Sequence, residues 1–303
     1  MIDRAEDEDG DAEAAAQNRS ADEDRTDAVL SSAEQRAVAH QRYRSTVDHT
    51  DDVARAGAAE DAQAGAREGW AEALPALRAA WERHVQRFPE RSRANASSQD
   101  HRLTPEQNTD ASKACEDIRA EGKEVILPAM KRIEAADPNR RLAGLEYMLK
   151  GEDRLKEKIA DVFLVEPNLS AKQAVGKVTD AVRFTLTYSE QRYAEGVLSD
   201  IERLKSEGFQ LIKLKNLWEK EHYKGINSQW LRPETGLRFE MQFHTPGSLE
   251  AKELTHAAYE RLRGTRVTQV ERDELEDYQK QVGMEIATPP GVTEIEEFPR
   301  KHG

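Results

Sequence analysis

Residues 238 to 245, RFEMQFHT, alternate without a break. Arg238, Glu240, Gln242 and His244 fall on one parity, and Phe239, Met241 and Phe243 on the other. A period of two places alternate side chains on opposite faces of a strand. The pattern therefore predicts a strand with an apolar face in a core and a polar face in water. The same β-type texture recurs in AVRFTLTY (181 to 188) and FQLIKLKNLW (209 to 218). SQWLRPE and GLRFEMQFHT read as a strand pair joined around ETG, a hairpin-like turn. Between the first two strands, SEQRYAEGVLSDIERLKSEG (189 to 208) has helical spacing and stops at Gly208.

Elsewhere the period is near 3.6. GWAEALPALRAAWERHVQRFPE (69 to 90) sets Trp70, Leu74, Leu77, Trp81 and Val85 roughly on one stripe. The segments 111–136 and 140–163 are expected to be helices, the second with Leu145, Leu149, Leu155, Ile159 and Phe163 as its apolar side. SLEAKELTHAAYERLR and TQVERDELEDYQKQVGMEI are expected helices after Pro246. Helices, then β-α-β-β-β, then helices describes an α+β domain with a small mixed β-sheet flanked by helices. We divide the chain into an extension (1–66), a helix and linker (67–110), a compact domain (111–286) and a Pro-rich tail (287–303).

Composition changes the picture mainly at the front. Only 37% of the 303 residues are hydrophobic and 34% are charged, too little apolar material for a uniform core. Residues 1 to 30 carry eleven Asp or Glu against three Arg, so 1–66 is expected to be largely disordered or weakly helical. The net charge of −13 argues against general nucleic-acid binding. A single cysteine, Cys115, rules out an internal disulfide framework and a Cys-based zinc cage. No apolar run is long enough to span a membrane, and a cytoplasmic location is the expectation.

Three stretches carry side chains that can do chemistry. On the strand just described, Glu240, Gln242 and His244 share a face. In KLKNLWEKEHYKGINSQW, Lys213, Lys215, Lys220 and Lys224 cluster before a Gly turn, a plausible cradle for an anion. In MLKGEDRLKEKI, Lys150, Arg154 and Lys158 are spaced by four, one helical face of like charges that a polyphosphate would neutralise.

Taken in chain order, these stretches and KVTDAVRFT resemble the synthetase domain of the RelA/SpoT family, pyrophosphokinases that make alarmone nucleotides. The resemblance covers about 145 to 263. Lys150 and Lys158 keep the interval of the family's ATP-binding lysines, although Met148 stands where an Arg is expected and Arg154 where a Ser is. VTDAVRF looks like the family's Asp-x-x-Gly-x-Arg strand, with Arg183 matching its Arg. GINSQW keeps the Gly (Gly225) and Ser (Ser228) of Gly-Tyr-x-Ser-Leu-His. EMQFHT keeps Glu240, Gln242 and Thr245 of Glu-x-Gln-x-Arg-Thr, with His244 in place of the Arg. The family's metal-binding Asp is Val178 here, and Asp180 is the nearest carboxylate. Ile226 replaces the base-stacking Tyr and Trp230 the closing His.

The resemblance implies the nucleotidyltransferase-like synthetase fold and transfer of the β,γ-diphosphate of ATP to a nucleotide 3′-hydroxyl, with Mg²⁺. It assigns Glu240 and Asp180 to the metal and Glu240 to activating the hydroxyl, with Gln242 and His244 orienting phosphate or acceptor. Lys150, Arg154, Lys158 and Arg183 would hold ATP. Lys213, Lys215, Tyr223, Lys224, Gly225, Asn227, Ser228 and Trp230 would meet the acceptor. A 105–303 region without an adjacent His-Asp pair predicts no hydrolase. An acidic front on a small catalytic domain suits a toxin module, with nucleotides as substrates and an antitoxin or immunity protein as partner. Two alternatives stay open, a degenerate nucleotide-binding or interaction module and a transferase toxin that modifies an RNA end.

Overall fold

A computed structural model describes residues 68–89, 103–263 and 267–299. The expected extension over 1–66 and most of the linker, 91–102, lie outside the described residues.

Helix α1 (68–87) forms because its apolar residues return every three or four positions. Trp70 and Leu77 are buried and Leu74 and Trp81 pack beside them. His84, not Val85, completes the stripe. Val85 is exposed, whereas His84 stacks on Trp81 and lies 3.4 Å from Glu274. Helix α2 (Pro105–Glu121) starts inside the stretch expected to be linker. Thr104 and Gln107 form a reciprocal capping box and Pro105 takes the first turn, where its missing N–H costs nothing. A π-turn over Gly122–Ile126 leads into α3 (Leu127–Ala135), and the Leu127 N–H reaches back to the Gly122 carbonyl. Pro128 explains the irregularity, since a proline within a helical run has no N–H to offer the ladder.

The segment 140–163 is not one helix. Arg140–Ala143 is a strand, β1; Gly144 follows at φ 62°, and only Glu152–Val165 is helical (α4). Tertiary contacts override local preference here. The buried Arg140 is fastened to Asp200 and to the Ile133 carbonyl, and β1 pairs with the next strand. The short α5 (Ala171–Gly176) follows, then β2 (Arg183–Tyr188), α6 (Tyr193–Ser206), β3 (Gln210–Asn216), β4 (Ile226–Leu231) and β5 (Arg238–His244). The helices α7 (Pro246–Leu262) and α8 (Gln269–Met284) complete the order.

The fold is α+β, built on a five-stranded mixed sheet ordered β1-β2-β5-β4-β3. The β2–β5 pair is parallel and the rest are antiparallel. One face carries Phe184, Leu186, Trp230, Phe239, Met241 and Phe243, all buried, as the parity of RFEMQFHT predicts. Val197, Ile201 and Leu204 of α6 join the same core. Residues 287–299, expected to be a tail, line the outer edge of β3. Leu214 and Phe298 exchange backbone hydrogen bonds, and Val292 and Ile295 are buried. This covers a strand edge that would otherwise offer unpaired backbone groups. Among the described residues no helix is long and apolar enough to cross a membrane.

Candidate active site

The sheet's other face carries the polar residues, and the strand registers fix their order. Lys213 lies opposite Gln229, Gln229 opposite Glu240 and Glu240 opposite Arg183, one row across four strands. The next row runs Lys215, Asn227, Gln242, Thr185. At about 4.8 Å between strands, the Glu240 backbone is one strand from Arg183 and two from Lys213. Glu240 and Arg183 are half-buried, and Lys213 and Lys215 are exposed. Among the described residues Arg183 forms no ion pair, which leaves its guanidinium available to an anion.

Along β5 itself the polar side is wet only at its Glu240 end. Gln242 is 4% exposed and His244 fully buried, because α7 and the segment before β4 lie over them. His244 uses both ring nitrogens inside the protein, at 2.9 Å from the Tyr223 hydroxyl and 2.9 Å from Ser248 Oγ. Burial, and then the charge of Lys252, push its pKa down to about 3, so the ring is neutral. This removes His244 from the residues that can orient a phosphate or acceptor. Gly225 is required beside it, since a Cβ there would sit 2.7 Å from His244 Cε1.

Four acceptor assignments from YKGINSQW also change. β4 alternates, so Ser228 and Trp230 face the core while Asn227 and Gln229 face the site. Trp230 donates its indole N–H to Ser228 Oγ at 2.8 Å, and Ser228 donates to the Met241 carbonyl. Both are structural. Tyr223 is largely enclosed, donating to Asn227 Oδ1 at 2.7 Å, and burial raises its pKa well above the usual tyrosine value. Lys224 donates to the Trp218 carbonyl at 2.9 Å, and burial pushes its pKa down. Of the expected acceptor residues, Lys213, Lys215 and Asn227 line the accessible polar rows.

Beside this face stands a second cluster. Leu149 bridges Val182, the Lys150 N–H donates to the Ala181 carbonyl, and the Arg183 N–H donates to Met148. These bonds lay Lys150 along the start of β2, and Lys158 comes from α4. Asp180 occupies a turn just before β2 rather than the strand itself. Lys158 Nζ sits 2.7 and 2.8 Å from its two oxygens, and Lys150 Nζ 3.0 Å from one. Burial would raise the Asp180 pKa, but hydrogen bonds from Lys158 and Lys150 outweigh it and hold the carboxyl below its ordinary value. The two lysines thus converge on a carboxylate where a polyphosphate was expected. Arg154 does not join them; it is 60% exposed and pairs with Glu157.

Sequence reasoning missed Lys252. It projects from α7 and donates to Gln242 Oε1 at 2.7 Å, while Gln242 Nε2 donates to Glu240 Oε1 at 2.7 Å. A signal was present: Ser248, Ala251 and Thr255 are small and buried on the side of α7 where a lysine, one position along, is out of place. Among the described residues no group of three or more His, Cys, Asp or Glu gathers as a metal cage. A cleft of about 620 Å³ between α2, α5 and the β4–β5 turn contains none of the predicted site residues.

The fold is therefore an α+β one whose open sheet presents a carboxylate among cations. No family model and no curated protein matches the sequence. Among solved structures the chain is similar to a Streptococcus mutans protein, smu.1046c, at 14% identity over 59% of this chain and 90% of that one, with a TM-score of 0.36. It is similar to a GTP pyrophosphokinase family protein from Streptococcus pneumoniae, at 12% identity, 60% and 90% coverage and a TM-score of 0.36. For the small alarmone synthetase 2 of Bacillus subtilis the identity is 12%, the coverage 54% and 90%, and the TM-score 0.37.

Proposed function

We propose that the chain is an ATP-dependent pyrophosphokinase that transfers the β,γ-diphosphate of ATP to a nucleotide 3′-hydroxyl. The observation that carries this reading is the row Lys213–Gln229–Glu240–Arg183, a half-buried carboxylate set among cations on an open sheet. In the reaction the acceptor O3′ bonds to the β-phosphorus, the bond from that phosphorus to the α,β-bridging oxygen breaks, and AMP leaves. Glu240 takes the hydroxyl proton. Gln242 occupies Glu240 Oε1, leaving Oε2 without a hydrogen bond to any described residue and open for that role. Arg183, Lys213 and Lys215 neutralise phosphate charge, and such transfers rest on positioning and neutralisation.

Glu240 fits a magnesium ion, since such sites use one or two carboxylates plus substrate phosphates. Asp180 fits only after Lys150 and Lys158 let go of it. Phosphate oxygens would compete for those same ammonium groups, so arriving ATP frees the carboxylate. A magnesium ion held by Glu240, and by Asp180 once released, would supply positive charge to offset the charge developing on the phosphates and the leaving group. A second reading, a nucleotide-binding module without activity, draws on the neutral buried His244 and on Ser228 and Trp230 facing the core.

Labelled ATP incubated with Mg²⁺ and each of GDP, GTP, ADP and tRNA separates the readings. AMP and a diphosphorylated acceptor are expected, with a loss of about 10²–10⁴-fold in Glu240→Gln. Activity unchanged by Glu240→Gln would sink the assignment. Nucleotide binding without product on any acceptor would favour the module.

A further inference from the structure

Lys252, Gln242 and Glu240 form a chain of two hydrogen bonds running from α7 through the sheet surface to the half-buried carboxylate. A glutamine amide has a carbonyl end and an NH₂ end, and its partners decide which way it points. An ammonium has donors only, so Lys252 can donate only to the carbonyl end. The NH₂ end is thereby turned to Glu240. Rotated by half a turn, Gln242 would set its oxygen against a carboxylate and its NH₂ against an ammonium, two repulsive contacts in a buried place.

We propose that Lys252 is a positioning residue: it fixes the amide of Gln242, and through it holds the Glu240 carboxylate with one oxygen engaged and the other turned to the reaction. This rests on the reading of Glu240 as the group that receives the acceptor proton. Two features of the fold make the hold rigid. Gln242 is buried between Asn227 of β4 and Thr185 of β2. Lys252 lines a small cleft with Tyr223, Lys224, Ser248 and Thr255, and Gln279 and Val282 of α8 flank it. The surroundings also show a real cost for its charge. Burial and then Arg183 lower the Lys252 pKa to about 8, against Glu240 and Glu253, which raise it. A lysine kept in such a place at the expense of its own ionisation is best understood by what its charge orients.

The test has a structural and a kinetic arm. In the wild-type protein, the two Gln242 Nε2 protons should be distinct by ¹⁵N NMR and slow to exchange with solvent, one of them bonded to Glu240. In Lys252→Met their exchange should quicken by about tenfold or more, one hydrogen bond's worth of protection. Lys252→Arg, which also only donates, should restore the slow exchange. In the transferase assay Lys252→Met should lower kcat by about 10²-fold, the scale of a misplaced reacting group, with the KM for ATP nearly unchanged. Lys252→Arg should recover most of the loss. Gln242 protons that behave identically in wild type and Lys252→Met overturn the proposal, whatever the activity. So does a Lys252→Met enzyme that retains full kcat, or one whose loss is all in KM. If the protons respond as expected and no acceptor yields product, the hold on Glu240 stands and the pyrophosphokinase reading falls.

Discussion

Lowering the pH should expose the cost of burying His244. The ring is fully buried and its pKa is pushed to about 3, whereas in the unfolded chain it sits near 6.5. Below about pH 6.5 the unfolded chain binds a proton that the folded protein refuses, so stability falls with pH and the fall ends only near pH 3. At pH 5 the gap is about 1.5 units, or ~2 kcal/mol at 1.36 kcal/mol per unit. Asp200 acts in the opposite sense, which hides the effect in the wild type alone. Burial raises its pKa, so acidification protonates it in the folded protein first and returns part of that stability. Asp200 is common to the wild type and to His244→Asn, and it cancels between them. Urea unfolding followed by fluorescence of the buried Trp218 and Trp230 gives the stabilities at pH 7.5 and pH 5. His244→Asn should be less stable at pH 7.5, because the Tyr223 contact is lost. Its stability should fall on acidification by about 2 kcal/mol less than that of the wild type. Equal pH dependence in the two proteins, within about 0.5 kcal/mol, would refute the reasoning, as would an NMR titration of His244 near its free value.

Other substitutions probe the scaffold. Arg140→Met leaves Asp200 in the core with only the Tyr188 hydroxyl and a marginal contact to Arg203, and should cost about 3–5 kcal/mol in urea unfolding; a loss under about 1 kcal/mol would mean that the pair is not holding β1. Gly225→Ala drives a methyl group into the His244 ring and should lower stability by about 1–3 kcal/mol, read as a drop in melting temperature. Arg154→Ala removes an exposed pair and should change stability by less than about 0.5 kcal/mol. Calorimetric affinity for a non-hydrolysable ATP should be unaltered by that change and weakened by Lys158→Ala.

The alternation in RFEMQFHT assigned Phe239, Met241 and Phe243 to the core correctly, and placed Glu240 on the open side. It could not say what covers the far half of that side, because a strand's parity carries no information on how α7 folds back over it or where Tyr223 comes to rest. GINSQW was misjudged for a different reason. Treating neighbouring residues as one binding motif ignores that Asn227 and Gln229 must face away from Ser228 and Trp230 in a strand. The lysine spacing of four was also incomplete, since α4 begins at Glu152 and Lys150 is placed by a bridge to β2 instead. β1 was invisible, as Arg-Arg-Leu-Ala has no strand preference and becomes one through a partner some forty-five residues away.

The parallel pairing of β2 with β5 has a consequence for synthesis on the ribosome. Arg183 and Glu240 face each other across that pair but are translated 57 residues apart. At about 5–20 residues per second the interval is roughly 3–11 s, during which the nascent chain holds Lys150, Lys158 and Asp180 but no Glu240. The central strand is the last of the five to appear, so a chain interrupted before it carries the outer strands and the Lys150–Lys158–Asp180 cluster without Glu240. The polar row across the sheet is complete only once β5 has closed its centre.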